Sequence, residues 1–309
     1  MNKIVIIFIF LITSSVFSII YEIKKLDNTD NNFIKFKNEI QDNNNKIRKI
    51  RESFSYEALK EIKKITVASY KVKKKDTIFS IAEKFGMSVD TLISFNEINS
   101  EDSLKESEII LIPNMDGIVI FPEKKLYIKS LADLYKIREE ILFHINNIQR
   151  EFLYPKEEIF IPLARMSDEE KSYFLAKVFI YPLKTNKKIT SLYGMRRDPF
   201  TRRLSFHGGV DIATPIGTNV MATADGEVIH AGWGEGYGVL VVLKHKYGYT
   251  SWYGHLSRIL VKKGDIVKQG QIIAISGNTG RTTGPHLHFE IRRFNTRKNP
   301  FEVLDFTHP

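Results

Sequence analysis

Apolar and polar positions change rhythm several times along the chain. Ile4 to Ile12 is an unbroken apolar run. From Ile23 to Ile65, isolated Ile, Leu and Phe stand among Lys, Asn and Glu, so residues 19–68 read as a charged spacer. Within it, Asn43-Asn44-Asn45 is expected to break any long helix, and Ile47, Ile50, Phe54, Ala58 and Leu59 have the spacing of a short amphipathic helix after the break. From Ser69 to Pro113 the pattern sharpens. A short strand at Tyr70–Val72 leads to Asp76-Thr77, a helix-capping signal, and Ile78, Ile81, Ala82 and Phe85 then share a helical face. Gly86 stops that helix. A second helix follows Ser88 with Val89, Leu92 and Ile93 inward, then Asn96, a strand at Ile109–Ile112 and a proline. The unit at 69–113 is therefore strand–helix–helix–strand.

The same pattern returns at an offset of 50 residues. Ser130-Leu131-Ala132-Asp133-Leu134-Tyr135 aligns with Ser80-Ile81-Ala82-Glu83-Lys84-Phe85, and Leu142, Asn146 and Ile148 align with Leu92, Asn96 and Ile98. Residues 119–162 are a degenerate second copy that lacks the Asp-Thr cap and the glycine. Residues 163–180, with a helix start at Ser167-Asp168-Glu169-Glu170, read as a linker helix.

After Val178 the period becomes two. Short Val/Ile-rich runs at 220–223, 226–231, 239–245, 250–255, 271–276 and 286–292 alternate with glycine turns, which predicts an antiparallel all-β domain over 181–305. The run Gly232-Trp233-Gly234-Glu235-Gly236-Tyr237-Gly238 is followed by a strand and no helix, so it fails as a phosphate loop. It reads instead as a mobile hairpin loop that lines a cleft. The fold class is thus multidomain: α+β strand–helix–helix–strand units followed by an antiparallel all-β domain.

Charge and composition narrow the setting. The chain has 309 residues, a net charge of +10 and no cysteine, which excludes disulfides, thiolate metal sites and a lipid-modified N-terminal cysteine. Lys3, the apolar run and Thr13-Ser14-Ser15-Val16-Phe17-Ser18 make residues 1–18 a signal peptide, favoured over an uncleaved anchor. Either reading exports the remainder to the periplasm or cell envelope. Basic residues crowd between Lys46 and Lys75, eleven Lys and Arg against three Glu. Export makes an anionic wall polymer or lipid a better partner for that charge than nucleic acid.

The chemistry gathers in three segments. In Gly284-Pro285-His286-Leu287-His288-Phe289-Glu290-Ile291-Arg292, alternation puts His286, His288, Glu290 and Arg292 on one face and Leu287, Phe289 and Ile291 on the other. His207-Gly208-Gly209-Val210-Asp211 places an imidazole and a carboxylate four residues apart, on one face of an extended chain. His255 stands in Tyr253-Gly254-His255-Leu256-Ser257. Several imidazoles and a carboxylate are the inventory of a catalytic zinc site with an open position. From spacing alone, neither His286 nor His255 is excluded as a ligand. His144, His230, His245 and His308 have no motif around them and read as structural or surface residues.

Two resemblances follow from these residues. Residues 69–113 resemble a LysM domain, in the Tyr-x-Val start, Asp76-Thr77, Ile81-Ala82-x-x-Phe85-Gly86, Asn96 and the Ile-Pro end, with Lys75 standing where a glycine is usual. That implies binding of N-acetylglucosamine-containing glycan. Residues 181 to about 304 resemble the lysostaphin/LytM-type zinc metallopeptidases, in His207-x-x-x-Asp211, Tyr253-x-His255-Leu256-Ser257 and His286-x-His288, with lesser matches at Gly194-x-Arg196, Pro215-x-Gly217 and Lys263-Gly264-Asp265. The resemblance implies Zn²⁺ held by His207, Asp211 and His288, with His255 and His286 as catalytic histidines. It also implies hydrolysis of peptidoglycan peptide cross-links. No His-Glu-x-x-His helix is present, so histidine must do the proton work. The alternative is a non-catalytic regulator that activates another cell-wall hydrolase, and the complete set of five residues argues against it. A lipoyl-type carrier lacks its Met-Lys hairpin.

Overall fold

The computed structural model describes residues 19–96, 98, 104–175, 178–184 and 188–304; residues 1–18, expected to be a signal peptide, and His308 lie outside them. The chain divides into two compact units, residues 1–166 and 167–309.

In the first unit, Val67–Lys71 pairs antiparallel with Ile109–Pro113, and the helices Ile78–Phe85 and Val89–Asn96 lie between them in sequence. Thr77 caps the first helix in a reciprocal box with Ser80, and Gly86 ends it at φ 67°. Asp76 is not the cap: its carboxylate accepts from Lys73 N at 2.8 Å and Tyr70 Oη at 2.6 Å. The second copy runs Gly117–Ile120, Ile128–Leu134, Glu139–Asn146 and Ile159–Pro162, its outer strands again antiparallel. Asn96 donates to Leu92 O and Leu111 O and accepts from Leu111 N. Asn146 does the same with Leu142 O, Phe160 O and Phe160 N. One side chain thus ties helix to strand identically in both copies. The left-handed role of Gly86 passes in the second copy to Lys136, at φ 50°.

Residues 19–68 are not a spacer. Ile19–Ile23 adds a parallel strand to Val67–Lys71. Asn31–Glu52 is one continuous 22-residue helix, capped by Asp30. It buries Phe33, Phe36, Ile40, Asn43, Ile47 and Ile50, a stripe at alternating spacings of three and four. The asparagine run does not break it, because Asn43 and Asn44 find side-chain partners outside the helix. Asn43 Nδ2 donates to Asn114 O at 2.9 Å, and Asn44 Oδ1 accepts from Asp116 N at 2.8 Å. The polar stripe positions therefore grip the segment that joins the two copies. Further along, Arg51 Nη2 donates to Tyr135 O and Lys136 O, satisfying the end of the Ile128–Leu134 helix.

The second unit holds a ten-stranded sheet whose pairs are antiparallel throughout. The helix Asp168–Phe174, capped by Ser167, is part of this unit rather than a free linker: Tyr173 joins its core beside Phe179. Leu287, Phe289 and Ile291 are fully buried in that core, each stabilising it by about 2 kcal/mol. Gly232-Trp233-Gly234 is no mobile loop. It continues the strand Gly226–Gly234 and pairs with Gly238–Leu240, leaving only Glu235-Gly236-Tyr237 as the turn. Among the described residues no helix is long and apolar enough to cross a membrane.

Candidate metal centre

His288 stands on the strand His286–Arg293, between Asp211 of Val210–Ala213 on one side and Gly254 of Tyr249–Ile259 on the other. His207 ends a separate two-stranded hairpin, Gly194–Arg197 with Leu204–His207. So His207 and Asp211 do not share one extended strand, as their spacing implied. The chain leaves one sheet and enters another at Gly208-Gly209. A Cβ on Gly209 would lie 2.2 Å from Phe289 O, and one on Gly208 2.3 Å from Arg297 Nε. Gly209 is required by this close approach to backbone, whereas Gly208 faces only the long side chain of Arg297.

The strand Tyr249–Ile259 changes partner in the middle. It pairs with His286–Arg293 through Gly254 and with Ile272–Ser276 from Leu256. His255 is the switch residue, with left-handed backbone at φ 59° and its N–H on Tyr237 O at 2.7 Å. That conformation is uncommon for a residue with a side chain and marks a position the surroundings over-determine. It delivers the His255 ring to within 4.7 Å of the His286 ring.

His207, Asp211 and His288 offer one ligand atom each within 4.8 Å of one another, and all three are buried. Asp211 Oδ1 lies 2.8 Å from His288 Nδ1, 3.1 Å from His207 Nε2 and 3.5 Å from His286 Nε2. The outer nitrogens are all occupied. His207 Nδ1 donates to Leu192 O at 2.8 Å, His255 Nδ1 to Thr279 O at 2.7 Å, and His286 Nδ1 to Gly284 O at 2.8 Å. A carbonyl only accepts, so each of those nitrogens carries the hydrogen and a neutral ring turns its Nε2 lone pair inward. His288 is reversed: its Nε2 meets Glu290 Oε1 at 3.0 Å and its Nδ1 faces inward.

Acceptor thus faces acceptor at hydrogen-bond distance around Asp211. Such a cluster calls for a cation, either protons or a metal, and the N/O donor set fits zinc. The charges agree. Burial raises the Asp211 carboxyl, but bonds from His207, His286 and His288 outweigh it and hold the group well below the ordinary carboxylate range. Burial works against the His288 imidazolium, yet Asp211 and Glu290 push it up to about 9. His255 goes the other way: burial lowers it to about 4 against the pull of Thr279 O, so it is neutral at pH 7.

The site opens on a cleft of about 490 Å³ in this unit, lined among others by Arg196, Asp198, Gly236, Tyr237, Arg281 and Thr282. Gly236 and Tyr237 come from the glycine-rich turn, which lines the cleft as expected. Asp198 and Arg281 pair at 2.8 Å on its wall. Arg281, Thr279 and Tyr237 carry no motif that the spacing of histidines would single out. Glu290 stands on the histidine face of its strand, where alternation alone gives it no task. Of the histidines without motif, His245 is buried, bonded to Asp225 O and Ser251 Oγ at 2.7 Å each. His144 bonds Ile62 O at 2.7 Å. Both are structural.

Residues 205–300 match the family model for peptidase family M23, and residues 70–113 that for the LysM domain. The chain is 49% identical over 126 residues to peptidoglycan DD-endopeptidase ShyB of Vibrio cholerae serotype O1, covering 40% of this chain and 29% of that protein. It is 47% identical over 112 residues to ShyA of the same organism, covering 36% and 26%. It thus spans less than a third of these relatives. The catalytic domain of the antimicrobial peptidase lysostaphin from Staphylococcus simulans is 39% identical, over 37% of this chain and 89% of that one, with a TM-score of 0.34.

Proposed function

We propose, from the match of residues 205–300 to peptidase family M23 and of residues 70–113 to the LysM domain, that the chain is an exported zinc endopeptidase that hydrolyses peptide cross-links of peptidoglycan. In this reading His207 Nε2, Asp211 Oδ1 and His288 Nδ1 hold the zinc. His255 and His286 share the proton work, and the LysM fold holds the glycan near the cleft, raising the local concentration of its peptides. The net charge of +10 favours further contact with an anionic wall polymer or lipid. The apolar run near the N-terminus is the export signal.

The observation that carries the proposal is the convergence of inward lone pairs on one carboxylate, beside a cleft large enough for a peptide. When bound, the metal supplies Lewis acidity toward a carbonyl oxygen and makes water acidic enough to attack near neutral pH. The protein's own part is orientation and proton handling. The carbonyl of Thr279 holds the His255 ring so that its Nε2 can accept a proton, and burial keeps that nitrogen unprotonated at pH 7. His286 Nε2, held 3.5 Å from Asp211 Oδ1 by Gly284 O, is placed to take up a proton and, once protonated, to donate to a developing oxyanion or pass the proton on.

The test is digestion of purified peptidoglycan by zinc-loaded protein from residue 19 onward, beside His207→Ala, with products identified by mass. Zinc-dependent release of un-cross-linked peptides, lost in the variant, is expected and names the bond. Zinc binding without any release sinks the endopeptidase reading.

A further inference from the structure

His288 differs from the other three histidines of the centre in two ways. It turns Nδ1 inward where they turn Nε2, and its outer nitrogen meets a carboxylate where theirs meet backbone carbonyls. That carboxylate, Glu290, is 1% exposed and heavily bonded. Its Oε1 accepts from Tyr237 Oη at 2.7 Å, and its Oε2 accepts from Arg292 Nε at 2.6 Å and Arg297 Nε at 3.4 Å. Arg292 Nη2 donates to Tyr237 Oη at 2.9 Å, and its guanidinium lies 3.6 Å from the centre of the Trp252 ring. Trp252 is the cross-strand partner of Glu290 itself.

A two-residue period makes His288, Glu290 and Arg292 neighbours in a row along one strand face. The row leads outward from the centre, and each member fixes the next. A buried carboxylate with so many donors cannot turn away from His288 without stranding its own partners.

We infer that Glu290 is a positioning residue that fixes which nitrogen of His288 faces the metal. This rests on the metal reading given above. The carboxylate holds hydrogen on Nε2, leaves the lone pair on Nδ1 and sets the ring plane. The strand of His288 is paired on both sides, with Val210–Ala213 and with Tyr249–Ile259, and a side chain rather than a backbone carbonyl meets its outer nitrogen. A ligand histidine depends on such outer partners, and removing one typically costs 10–100-fold in metal affinity.

The experiment compares wild type, Glu290→Ala and Glu290→Gln in the full exported chain. Zinc affinity is read by competition with a chromogenic chelator, and the His288 tautomer in the zinc-loaded protein by proton–nitrogen correlation NMR. Glu290→Ala is expected to weaken zinc 10–100-fold and to lose the single Nε2–H form of His288. Glu290→Gln keeps the shape and an accepting oxygen, so it should lose less and retain that form. Should the alanine variant not fold, the glutamine variant carries the measurement, through a weaker zinc affinity at an unchanged fold. Unchanged zinc affinity and an unchanged His288 tautomer in a folded variant overturn the inference, whatever happens to the melting temperature. If wild type itself takes up no zinc that His207→Ala abolishes, the metal reading falls and this inference with it.

Discussion

Gly209→Ala places a methyl group 2.2 Å from Phe289 O, 2.8 Å from Glu290 Cγ and 2.9 Å from Phe289 C. An ordinary contact of that kind needs more than 3 Å, so the strand His286–Arg293 must retreat by about 1 Å or Val210–Ala213 must. Neither can do so alone, because Val210 pairs with Phe289 and Asp211 with His288. Overpacking of this sort costs about 1–3 kcal/mol. The same movement separates Asp211 from His288, and about 1 Å at a reacting site is worth about a hundredfold in rate. Gly208→Ala is the control. Its methyl meets Nε and Cδ of Arg297, the far end of a long, 43% exposed side chain that can swing aside. Both tryptophans, Trp233 and Trp252, lie in the second unit, so their fluorescence in denaturant reports that unit. Gly209→Ala should lower its stability by about 1–3 kcal/mol and weaken zinc at least tenfold, with Gly208→Ala well behind on both counts. Equal effects of the two substitutions would refute the argument, since only one of them meets backbone.

His255→Asn keeps a residue that tolerates left-handed backbone while removing the imidazole; zinc affinity should hold within about threefold while peptidoglycan digestion falls by 10²–10⁴. A matching loss of zinc would make His255 a ligand. Burial lowers His245 from its ordinary 6.5 to about 4. Between those values the unfolded chain binds more protons than the folded one, so the second unit loses stability as pH falls from 6.5 to 4, by on the order of 3 kcal/mol from this group. Tryptophan-detected unfolding at pH 7.5 and pH 5 should therefore differ less in His245→Gln, and an equally steep loss would discount the group. Asn43→Ala strips the donor from the buried Asn114 carbonyl and opens a gap in the helix stripe. The first unit should lose about 2 kcal/mol in thermal unfolding, and a change under about 0.5 kcal/mol would return the segment to the status of a spacer.

Much of this was legible in the residues because periodicity and packing agree. Strict alternation in His286–Arg292 announced a strand with one buried face. The offset of 50 announced a second copy, whose Asn146 repeats each bond of Asn96. Legibility ended where polar groups are satisfied at long range. Asn43-Asn44-Asn45 looks like a helix breaker because asparagine competes locally for backbone bonds. Here the competitors are Asn114 and Asp116, about seventy residues away in sequence, and no local window reveals them. Likewise the spacing of His207 and Asp211 singles out two residues that the fold does bring together, but through another geometry: two strands of different sheets, joined at a glycine corner, rather than one extended segment. Glu290 sat in plain view as part of a charged row. Its partners Tyr237 and Arg297 come from a turn and from a separate strand, which only the folded sheet brings near.

The long helix at Asn31–Glu52 reaches both copies of the strand–helix–helix–strand fold, holding the junction at Asn114–Asp116 and the helix end at Tyr135–Lys136. Two modules on a loose tether sample many separations, and each doubling of tether length dilutes the second contact only slowly. A splint removes that freedom. Any polymer that touches both copies is measured against a ruler of one length, so its repeat spacing, and not merely its composition, decides how firmly it is held.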